Sequence, residues 1–432
     1  MKILVLGSGA REHAIIVSLL SEGAGHEVLA APGNAGIGRV ATLVDLDPND
    51  PVAVTNFADD AGVNLVVIGP EAPLVAGVAD RLRENGVPVF GPGRAAAQLE
   101  GSKAFAKRIM QAAGVPTGRA LRAASLIEAE AALDELGAPY VVKADGLAAG
   151  KGVIVTEDRA AALAHAAEFL PQGALLIEEF LSGPEVSLFF VSDGHTVVPL
   201  SPAQDYKRAL DDDEGPNTGG MGAYSPLPWL STQFGGEEEF VAEVQRTVAE
   251  PVVRELANEQ TPFIGLLYAG LILTDSGIRV IEFNARFGDP ETQVVLPRLA
   301  TPLSSLLFAA ASGTLDEADA PRFALDTAVT VVLASEGYPE APQTGRVITG
   351  LDAASAVDGV HIAHAATTQR GDELVASGGR VLSVVAVGTT FAESVERAYR
   401  AIGATGLDGS PYRSDIAARA IEGHWRSRAL SA

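Results

Sequence analysis

The sequence predicts an α/β enzyme built from roughly three domains. Hydrophobic residues make up 47% of the 432 residues and aromatic residues 6%, and 46 glycines accompany abundant alanine and valine. This composition is typical of α/β enzymes. Short apolar runs alternate with helical segments and are separated by glycine-containing turns. The chain is also too long for a single domain of about 100 to 200 residues.

Residues 1–102 are predicted to form a βαβ domain. A helical segment starts at Arg11 and further helical segments follow, alternating with strand-like runs at 3–6, 28–31, 65–69 and 87–90. This alternation is typical of a parallel sheet. The segments that directly follow strands lie at the carboxyl ends of the sheet, where open parallel sheets bind ligands. We therefore expect a substrate rim formed by residues 7–13, 32–36 and 69–73.

The remainder is predicted to divide into a domain at 103–325 and a small α+β domain at 326–432. A helical stretch at 95–113 precedes a predicted lid at about 120–190, with strands at 140–144, 153–156, 175–180 and 186–191 around a helix at 160–170. Two apolar runs at 263–273 and 278–283 predict a hairpin. The polar run at 203–224 predicts an ordered or mobile loop outside the core. The last domain is expected to contain strands at 328–334 and 381–387 and a helix at 391–402.

Composition and charge exclude several classes of function. The sequence has no cysteine, which excludes disulfides, thiolate catalysis and cysteine-ligated metals. The formal net charge of -24 argues against nucleic acid and anionic membranes as partners. The N-terminus begins directly with a strand pattern, and no long uncharged apolar stretch occurs. We therefore expect a cytoplasmic location.

The lysines direct attention to a glycine-rich segment. Of 31 basic residues only six are lysine, namely Lys2, Lys103, Lys107, Lys143, Lys151 and Lys207. Lys143 lies on the strand predicted at 140–144, which leads into a segment with glycines at 146, 150 and 152. The backbone N–H groups of such a loop can face polyphosphate oxygens while the ammonium adds a point charge. The segment is not a Walker A loop, and a plain hairpin turn is the alternative.

A second motif, at the end of an apolar strand, predicts a metal site. In Glu282-Phe283-Asn284 the strand period of two places both oxygen-bearing side chains on one face. Two hard ligands suit nucleotide-bound Mg2+, because triphosphate oxygens and water complete its coordination. A half-buried, hydrogen-bonded polar pair is the alternative. Arg286 follows, and it could contact a carboxylate or the transferring phosphoryl group.

Two further segments are less specific. Gly7-Ser8-Gly9 follows a strand, but Glu12 occupies the third glycine position of the dinucleotide fingerprint. A phosphate-bearing substrate beside Arg11 therefore fits better than NAD, and a simple strand-to-helix turn is the alternative. The segment 177–181 with Glu185 has the pattern of a nucleotide hinge, in which backbone groups pair with adenine and a carboxylate holds ribose hydroxyls.

Five strings, taken together, resemble one family. They run from end to end of the chain: GSGAREH at 7–13, GPEAPL at 69–74, the loop at 143–152, NTGGMG at 217–222 and the segment 282–291. The chain resembles the phosphoribosylamine-glycine ligases, or glycinamide ribonucleotide synthetases, of the ATP-grasp superfamily. The resemblance implies a pre-ATP-grasp βαβ N-domain, a two-part ATP-grasp core with a mobile lid, and a C-terminal domain that closes the site.

The same resemblance implies an activity in de novo purine biosynthesis. Glycine would be joined to 5-phosphoribosylamine through a glycyl phosphate intermediate, giving glycinamide ribonucleotide, ADP and phosphate. No protein nucleophile is required, which agrees with a sequence that offers cations, a metal motif and glycine loops. The substrates would be ATP, glycine and 5-phosphoribosylamine, and the enzyme would act as a cytoplasmic monomer.

Roles for individual residues follow from the resemblance. Lys143 and Arg286 would be catalytic, and Glu282 and Asn284 would hold Mg2+ or Mn2+. The ATP site would comprise Lys103, Lys143, Gly146, Gly150, Lys151, Gly152, Glu178, Glu179, Phe180, Leu181 and Glu185. The substrate sites would comprise Gly9, Arg11, Glu12, Pro70, Glu71, Asp205, Lys207, Asn217, Thr218, Gly219, Gly220, Met221, Arg286, Asp289, Pro290 and Glu291. Many ATP-grasp enzymes carry another acidic metal ligand on the preceding strand, and Tyr268-Ala-Gly-Leu271 offers none.

Three alternatives remain at this point. Another ATP-grasp ligase, such as a biotin carboxylase or a purine-pathway carboxylase, would share the nucleotide machinery, but the string at 217–222 argues against it. A nucleotide-binding regulatory protein would not need the lysine, the metal pair and Arg286 together. A dehydrogenase is disfavoured by the incomplete glycine fingerprint.

Overall fold

A parallel sheet forms the N-terminal part of the protein, in a computed structural model that describes residues 1–146 and 152–422. Its strand order is β3-β2-β1-β4-β5, and every neighbouring pair is parallel. The strands are β1 (Lys2–Gly7), β2 (Glu27–Pro32), β3 (Thr42–Leu43), β4 (Leu65–Ile68) and β5 (Val89–Phe90), with helices α1 (Ala10–Ser21), α2 (Pro51–Asp60), α3 (Glu71–Ala76) and α4 (Val78–Glu84). The central strands are buried on both faces, which explains their continuous apolar runs. The predicted βαβ fold is confirmed.

Two helices, not one, follow this sheet. The stretch predicted at 95–113 is divided at Ser102 into α5 (Arg94–Gly101) and α6 (Lys103–Ala112). Ser102 has an extended backbone, and its hydroxyl accepts a hydrogen bond from the Phe105 N–H at 3.2 Å, which caps α6. The break places Lys103 in the first turn of α6, facing the glycine-rich loop.

A small α+β unit with its own hydrophobic core follows. The antiparallel sheet has the order β6-β9-β7-β8. It comprises β6 (Ala120–Ala123), β7 (Tyr140–Ala144), β8 (Val153–Thr156) and β9 (Leu175–Glu178), covered by α7 (Leu126–Leu136) and α8 (Arg159–Phe169). Leu133, Val142 and Ile177 are fully buried in a hydrophobic cluster that belongs to this unit. The cluster is separate from the two larger hydrophobic clusters of the protein. The glycine-rich loop connects β7 to β8, so the core of this unit holds both ends of the loop in place.

A second antiparallel sheet lies beside this unit, with the order β11-β10-β16-β17. Its strands are β10 (Glu185–Asp193), β11 (Val197–Pro199), β16 (Ile264–Thr274) and β17 (Gly277–Asn284). β16 and β17 form the predicted hairpin. Gly277, the first residue of β17, has a φ of +100°, a backbone conformation that favours glycine. The associated helices are α9 (Ser231–Phe234), α10 (Glu237–Val244), a π-helix (Gln245–Ala249), α11 (Glu250–Asn258), α12 (Thr292–Val295) and α13 (Leu303–Ser312).

The C-terminal sheet includes two strands from the middle of the chain. Its order is β12-β15-β18-β23-β20, formed by β12 (Gln204–Asp205), β15 (Gly222–Ser225), β18 (Thr327–Ala334), β20 (Val360–His364) and β23 (Arg380–Gly388). The helices of this region are α14 (Leu351–Ser355), α15 (Phe391–Ala404) and α16 (Ala418–Glu422). Three two-stranded antiparallel pairs complete it: β13 (Arg208–Leu210) with β14 (Glu214–Asn217), β19 (Ile348–Thr349) with β24 (Gly406–Leu407), and β21 (Thr367–Arg370) with β22 (Glu373–Ala376).

The expectation that residues 203–224 form no regular core element was therefore wrong. β15 is completely buried and pairs with β18. A Cβ at Gly222 would lie 2.6 Å from Ile416 and 2.7 Å from the Thr330 carbonyl, so only glycine permits this approach. The Tyr224 hydroxyl is satisfied by donating to Gln204 and accepting from Trp229. In the described part of the chain no helix is long and apolar enough to cross a membrane.

Candidate active site

Lys143 on β7 lies beside Glu178 at the end of β9. The Lys143 ammonium is 3.1 Å from the Glu178 carboxylate, and both residues are buried. Lys107, on α6, reaches the same carboxylate oxygen at 3.1 Å. Two cations therefore share one anion in a place with little water. The excess positive charge favours an incoming anion such as a phosphate group.

Lys103 brings a third ammonium to the base of the glycine-rich loop. Its ammonium donates to the Gly146 carbonyl at 3.0 Å, and its backbone N–H donates to Asp145 at 2.7 Å. Burial lowers the pKa of Lys103, and Lys143 lowers it further, while Glu282 acts in the opposite direction. Lys103 is therefore close enough to Lys143 and to Glu282 for their charges to act on its own.

The glycine-rich loop itself is described only at its two ends. Gly146 has a φ of +99°, which favours glycine, and Gly152 accepts a hydrogen bond from the Ala144 N–H at 2.7 Å. Gly150 and Lys151, both predicted to bind ATP, lie outside the described residues.

The predicted nucleoside hinge follows β9. Glu179 exchanges two hydrogen bonds with the Arg119 backbone, each 2.9 Å long, and so fixes the direction of the chain toward Phe180 and Leu181. Glu185, at the start of β10, is 2.5 Å from the Lys207 ammonium. A residue predicted to bind the nucleoside therefore contacts one predicted to bind substrate, which indicates that the two sites adjoin.

The predicted metal pair has the expected geometry on β17. Glu282 and Asn284 share one face, partly exposed, whereas Phe283 is buried on the other. Within residues 1–146 and 152–422, neither side chain has a hydrogen bond or ion pair, so their oxygens remain available to a cation. The same residues contain no group of three or more histidine or acidic side chains able to hold a metal. The donor set fits a nucleotide-bound divalent ion, which needs few protein ligands.

Arg286 connects the metal strand to the N-terminal part of the protein. Its guanidinium lies 2.9 Å from the Glu100 carboxylate on α5 and 3.3 Å from the Glu71 carboxylate on α3. Burial opposes the charged form of Arg286, but the surrounding carboxylates, led by Glu100, raise its pKa above the usual range. Burial raises the pKa of Glu100, which shares this single cation with Glu71. Arg286 is therefore a permanent cation between residues predicted to act in phosphoryl transfer and residues predicted to bind substrate.

The N-terminal loop is organised by Glu12, which is 1% exposed. Its carboxylate accepts from the Gly9 N–H at 2.6 Å and from the Arg11 side chain at 2.5 Å. A Cβ at Gly7 would lie 2.6 Å from Glu12, and one at Gly69 would overlap it, so glycines let the two loops close around the carboxylate. Pro70 is the N-cap of α3, directly before Glu71. The hydrogen bonds of the Glu12 carboxylate are therefore made to its own loop. Arg11 also donates to the Phe287 carbonyl at 3.2 Å.

Residues from two other segments meet this loop. Asp289 is close to Gly9, since a Cβ at Gly9 would lie 3.8 Å from its carboxylate. A Cβ at Gly220 would lie 2.5 Å from the Pro290 ring. Thr218 accepts from the Gly220 N–H at 3.0 Å, and Gly219 donates to the Tyr338 hydroxyl at 3.0 Å. The segments 217–222 and 286–291 therefore form one rim.

Three predicted substrate residues have other neighbours. Met221 is 1% exposed, so its side chain belongs to the interior, and Asn217 accepts from Arg208 in the β13–β14 hairpin. Glu291 is buried and accepts hydrogen bonds from Tyr268 at 2.8 Å and Ser187 at 3.2 Å.

Asp205 is the predicted substrate residue with the most perturbed carboxyl group. Burial raises the pKa of Asp205 to about 7, although Lys207, 4.0 Å away, favours the ionised form. Glu291 and Glu185 act on that pKa in the same direction as burial, and the value of about 7 includes their effect. Asp205 therefore lies in a buried cluster of like charges beside one ammonium, an arrangement that is typical of functional sites.

Sequence reasoning missed several residues of this site. Lys107 was one of only six lysines, so lysine scarcity was a usable signal for it. Glu100, Tyr268 and Arg380 carried no such signal. Their contacts, such as the one at 3.2 Å between the guanidinium of Arg380 and the Asp289 carboxylate, join segments that are distant in sequence.

A cleft of about 660 Å3 also opens between the turn at Gly194 and α11. It is lined by polar residues, including His195, Glu250 and Arg254. None of the predicted site residues lines it. It contains neither the lysines nor the metal pair, so the candidate active site is the group of residues around Lys143, Glu282 and Arg286 and not this cleft.

The fold and site define an ATP-grasp ligase. Family models for phosphoribosylglycinamide synthetase match the chain in three consecutive parts: the N domain at residues 1–100, the ATP-grasp (A) domain at 101–292 and the C domain at 328–419. The chain belongs to the phosphoribosylglycinamide synthetase family.

Individual relatives agree with this membership. Phosphoribosylamine–glycine ligase from Leifsonia xyli subsp. xyli is 72% identical over 97% of this chain and 100% of its own length. The enzyme of that name from Streptomyces coelicolor is 58% identical over 97% of this chain and 99% of its own length. The crystal structure of phosphoribosylamine–glycine ligase from Thermotoga maritima has a TM-score of 0.79 and 32% identity, covering 96% of this chain and 100% of that one. A biotin carboxylase from Campylobacter jejuni, at 14% identity and a TM-score of 0.70 over 95% of this chain and 92% of its own, shares the fold.

Proposed function

We propose that the protein joins glycine to 5-phosphoribosylamine, coupled to cleavage of ATP to ADP and phosphate, and so forms glycinamide ribonucleotide for purine biosynthesis. The observation that carries the proposal is the position of Arg286. Through Glu71 and Glu100 it connects the metal strand to the loops at the carboxyl ends of the N-terminal sheet. These contacts support a phosphoryl-transfer site next to a site for a phosphate-bearing amine, and the family models match three consecutive parts of the chain.

In the first step a glycine carboxylate oxygen attacks the γ-phosphorus of ATP. The new P–O bond gives glycyl phosphate, and the bond to the β-phosphate oxygen breaks to release ADP. Lys103 and Lys143 are suited to hold the phosphates, because their ammonium groups are close enough to interact electrostatically, and Glu282 also acts on Lys103. Arg286, held as a cation by two carboxylates, stabilises the charge on the transferring group.

In the second step the amine of 5-phosphoribosylamine attacks the carbonyl carbon of glycyl phosphate. The C–N bond forms, the bond from carbon to the phosphate oxygen breaks, and inorganic phosphate leaves with the electron pair, while the amine nitrogen loses one proton to the departing phosphate or to water. The loops around Gly9 and Pro70 are suited to hold the ribose phosphate, since backbone N–H groups at helix N-termini bind anions. Catalysis consists of positioning and charge stabilisation without a protein nucleophile.

A divalent cation would be held by Glu282 and Asn284, whose oxygens have no other partner in the described part of the chain. Bound there, Mg2+ or Mn2+ would neutralise charge on the triphosphate. We further propose that the enzyme acts as a monomer in the cytoplasm, where ATP and its phosphorylated substrate are present. Sedimentation of the purified protein tests the monomer.

The proposed function is tested by turnover with 5-phosphoribosylamine generated in situ. Glycine, alanine, serine and bicarbonate are supplied in turn with ATP and Mg2+, and ADP and the ribonucleotide product are measured. We expect product with glycine only. Turnover with another carboxylate and not with glycine would contradict the substrate assignment while retaining the ligase class.

A further inference from the structure

Arg380, the first residue of β23, makes an unusual set of contacts across the rim of the site. One terminal nitrogen, Nη1, donates to the carbonyls of Gly219 and Asp289 at 2.7 Å each and lies 3.4 Å from that of Gly220. The other, Nη2, is 3.2 Å from the Asp289 carboxylate. One side chain from the C-terminal sheet therefore holds two segments that come from elsewhere in the chain.

The approach of Arg380 depends on a glycine. A Cβ at Gly219 would lie 3.1 Å from the central guanidinium carbon. The glycine therefore lets the planar group lie against the backbone and reach both segments together. Lysine could replace the charge but not the fork of donors.

Arg380 also sets the charge of Asp289. Burial disfavours the ionised carboxylate, but the pKa of Asp289 is lowered overall, with Arg380 as the strongest favourable influence and Arg11 next. Gln293 donates to the other carboxylate oxygen at 2.7 Å. The carboxylate is thus oriented from two sides and lies close to Gly9 of the N-terminal loop.

A purely structural role does not account for this arrangement. The Arg380 side chain is 21% exposed, and its partners are loop atoms at the rim, outside the apolar core. Its contacts join the segment 217–222, the segment 286–291 and, through Asp289, the N-terminal loop. These are the segments that carry the predicted sites for glycine and for the sugar-phosphate amine.

We propose that Arg380 is a positioning residue for ligation, which fixes the Asp289 carboxylate and the Gly219–Gly220 backbone so that glycine and 5-phosphoribosylamine bind in reactive register. This inference rests on the proposed function. It assigns to the C-terminal sheet a direct part in substrate affinity and none in ATP affinity, because the lysines that face the phosphates lie in other elements.

The test compares Arg380→Ala and Arg380→Lys with Arg370→Ala. Arg370 is an exposed arginine of the β21–β22 hairpin, and its ion-pair partner is Glu373, which is not a predicted site residue. KM for each of the three substrates, kcat, the pH profile and the melting temperature are measured. We expect Arg380→Ala to raise KM for glycine and 5-phosphoribosylamine roughly 10- to 100-fold, as for loss of a charged hydrogen bond, with KM for ATP within about twofold. The acid limb of kcat/KM should move to higher pH, and Arg380→Lys should restore part of the loss.

Two results would overturn the inference. One is kinetics of Arg380→Ala that match those of Arg370→Ala. The other is an equal rise in all three KM values together with a lower melting temperature, which would indicate a structural role. If Arg380→Ala does not fold, Arg380→Lys is tested instead. The inference then requires that KM rises for glycine and 5-phosphoribosylamine but not for ATP. Absence of wild-type turnover with glycine would instead contradict the proposed function, so the two failures are distinguishable.

Discussion

Three histidines at the contact between the N-terminal and C-terminal sheets predict a loss of stability in mild acid. His13 on α1 is 3% exposed, and its Nδ1 accepts a hydrogen bond from the His364 N–H at 2.9 Å. Its ring centre is 5.3 Å from that of His361 and 5.6 Å from that of His364. Arg39 adds positive charge beside His364. Protonation of any of these rings would place a charge among cations and buried groups.

The size of the effect follows from the pKa shifts. Burial lowers the pKa of His13 to about 2 and that of His364 to about 4. The unfolded chain takes up a proton on each near pH 6.5, whereas the folded protein does not. Each histidine therefore contributes stability that is complete above pH 6.5 and is lost as the pH falls toward its folded pKa. At pH 5 the loss is about 2 kcal/mol for each histidine.

The assay measures urea unfolding between pH 8 and pH 5, followed by tryptophan fluorescence, to which the buried Trp229 contributes. His13→Asn retains an acceptor oxygen for the His364 N–H and cannot titrate. The difference between variant and wild type cancels the carboxylates common to both. The variant should lose about 2 kcal/mol less than wild type between pH 8 and pH 5. An exposed control, His195→Asn, should keep the wild-type slope, and an unchanged slope for His13→Asn would refute the reasoning.

The remaining predictions concern the site. Loss of a residue that supports a metal ligand typically costs roughly 10- to 100-fold in activity, and Glu282→Gln, which changes a proposed ligand itself, should cost at least as much. The variant should also need more Mg2+ for half-activation, while its circular dichroism spectrum stays unchanged. Wild-type Mg2+ dependence would contradict the metal assignment. Arg286→Lys should lower kcat roughly 100-fold or more, because a single ammonium cannot replace the fork between Glu71 and Glu100. Lys107→Met should raise KM for ATP roughly tenfold, because Glu178 is left to Lys143 alone, and an unchanged KM would show that Lys107 acts elsewhere.

Local patterns predicted the elements that carry the chemistry. The apolar run with period two placed Glu282 and Asn284 on one face of β17, and the strand before the glycine-rich loop placed Lys143 at its base. The alternation of strands and helices predicted the parallel N-terminal sheet. These predictions held because strand periodicity and glycine turns depend on neighbours within a few residues.

Contacts between distant segments could not be predicted in this way. β15 was assigned to a loop because its surroundings are polar, yet Gly222 allows it to pack in the C-terminal sheet. Glu100 and Arg380 are charged residues with nothing unusual around them in sequence, and they matter because of Arg286 and Asp289, which lie far along the chain. The carboxylate of Glu178, expected to hold the nucleoside, is shared by two lysines. Tertiary packing determines which residues contact one another in these cases, and the local sequence around each residue does not carry that information.

The central claim, that glycine is activated as an acyl phosphate, is tested most directly with glycine labelled with 18O in both carboxylate oxygens. The protein is supplied with this glycine, unlabelled ATP, Mg2+ and 5-phosphoribosylamine formed in situ, and the phosphate released is analysed by mass spectrometry. Attack of the carboxylate on the γ-phosphorus requires one 18O in each phosphate formed and one in the amide product. Phosphate without 18O, released in step with product, would contradict the account.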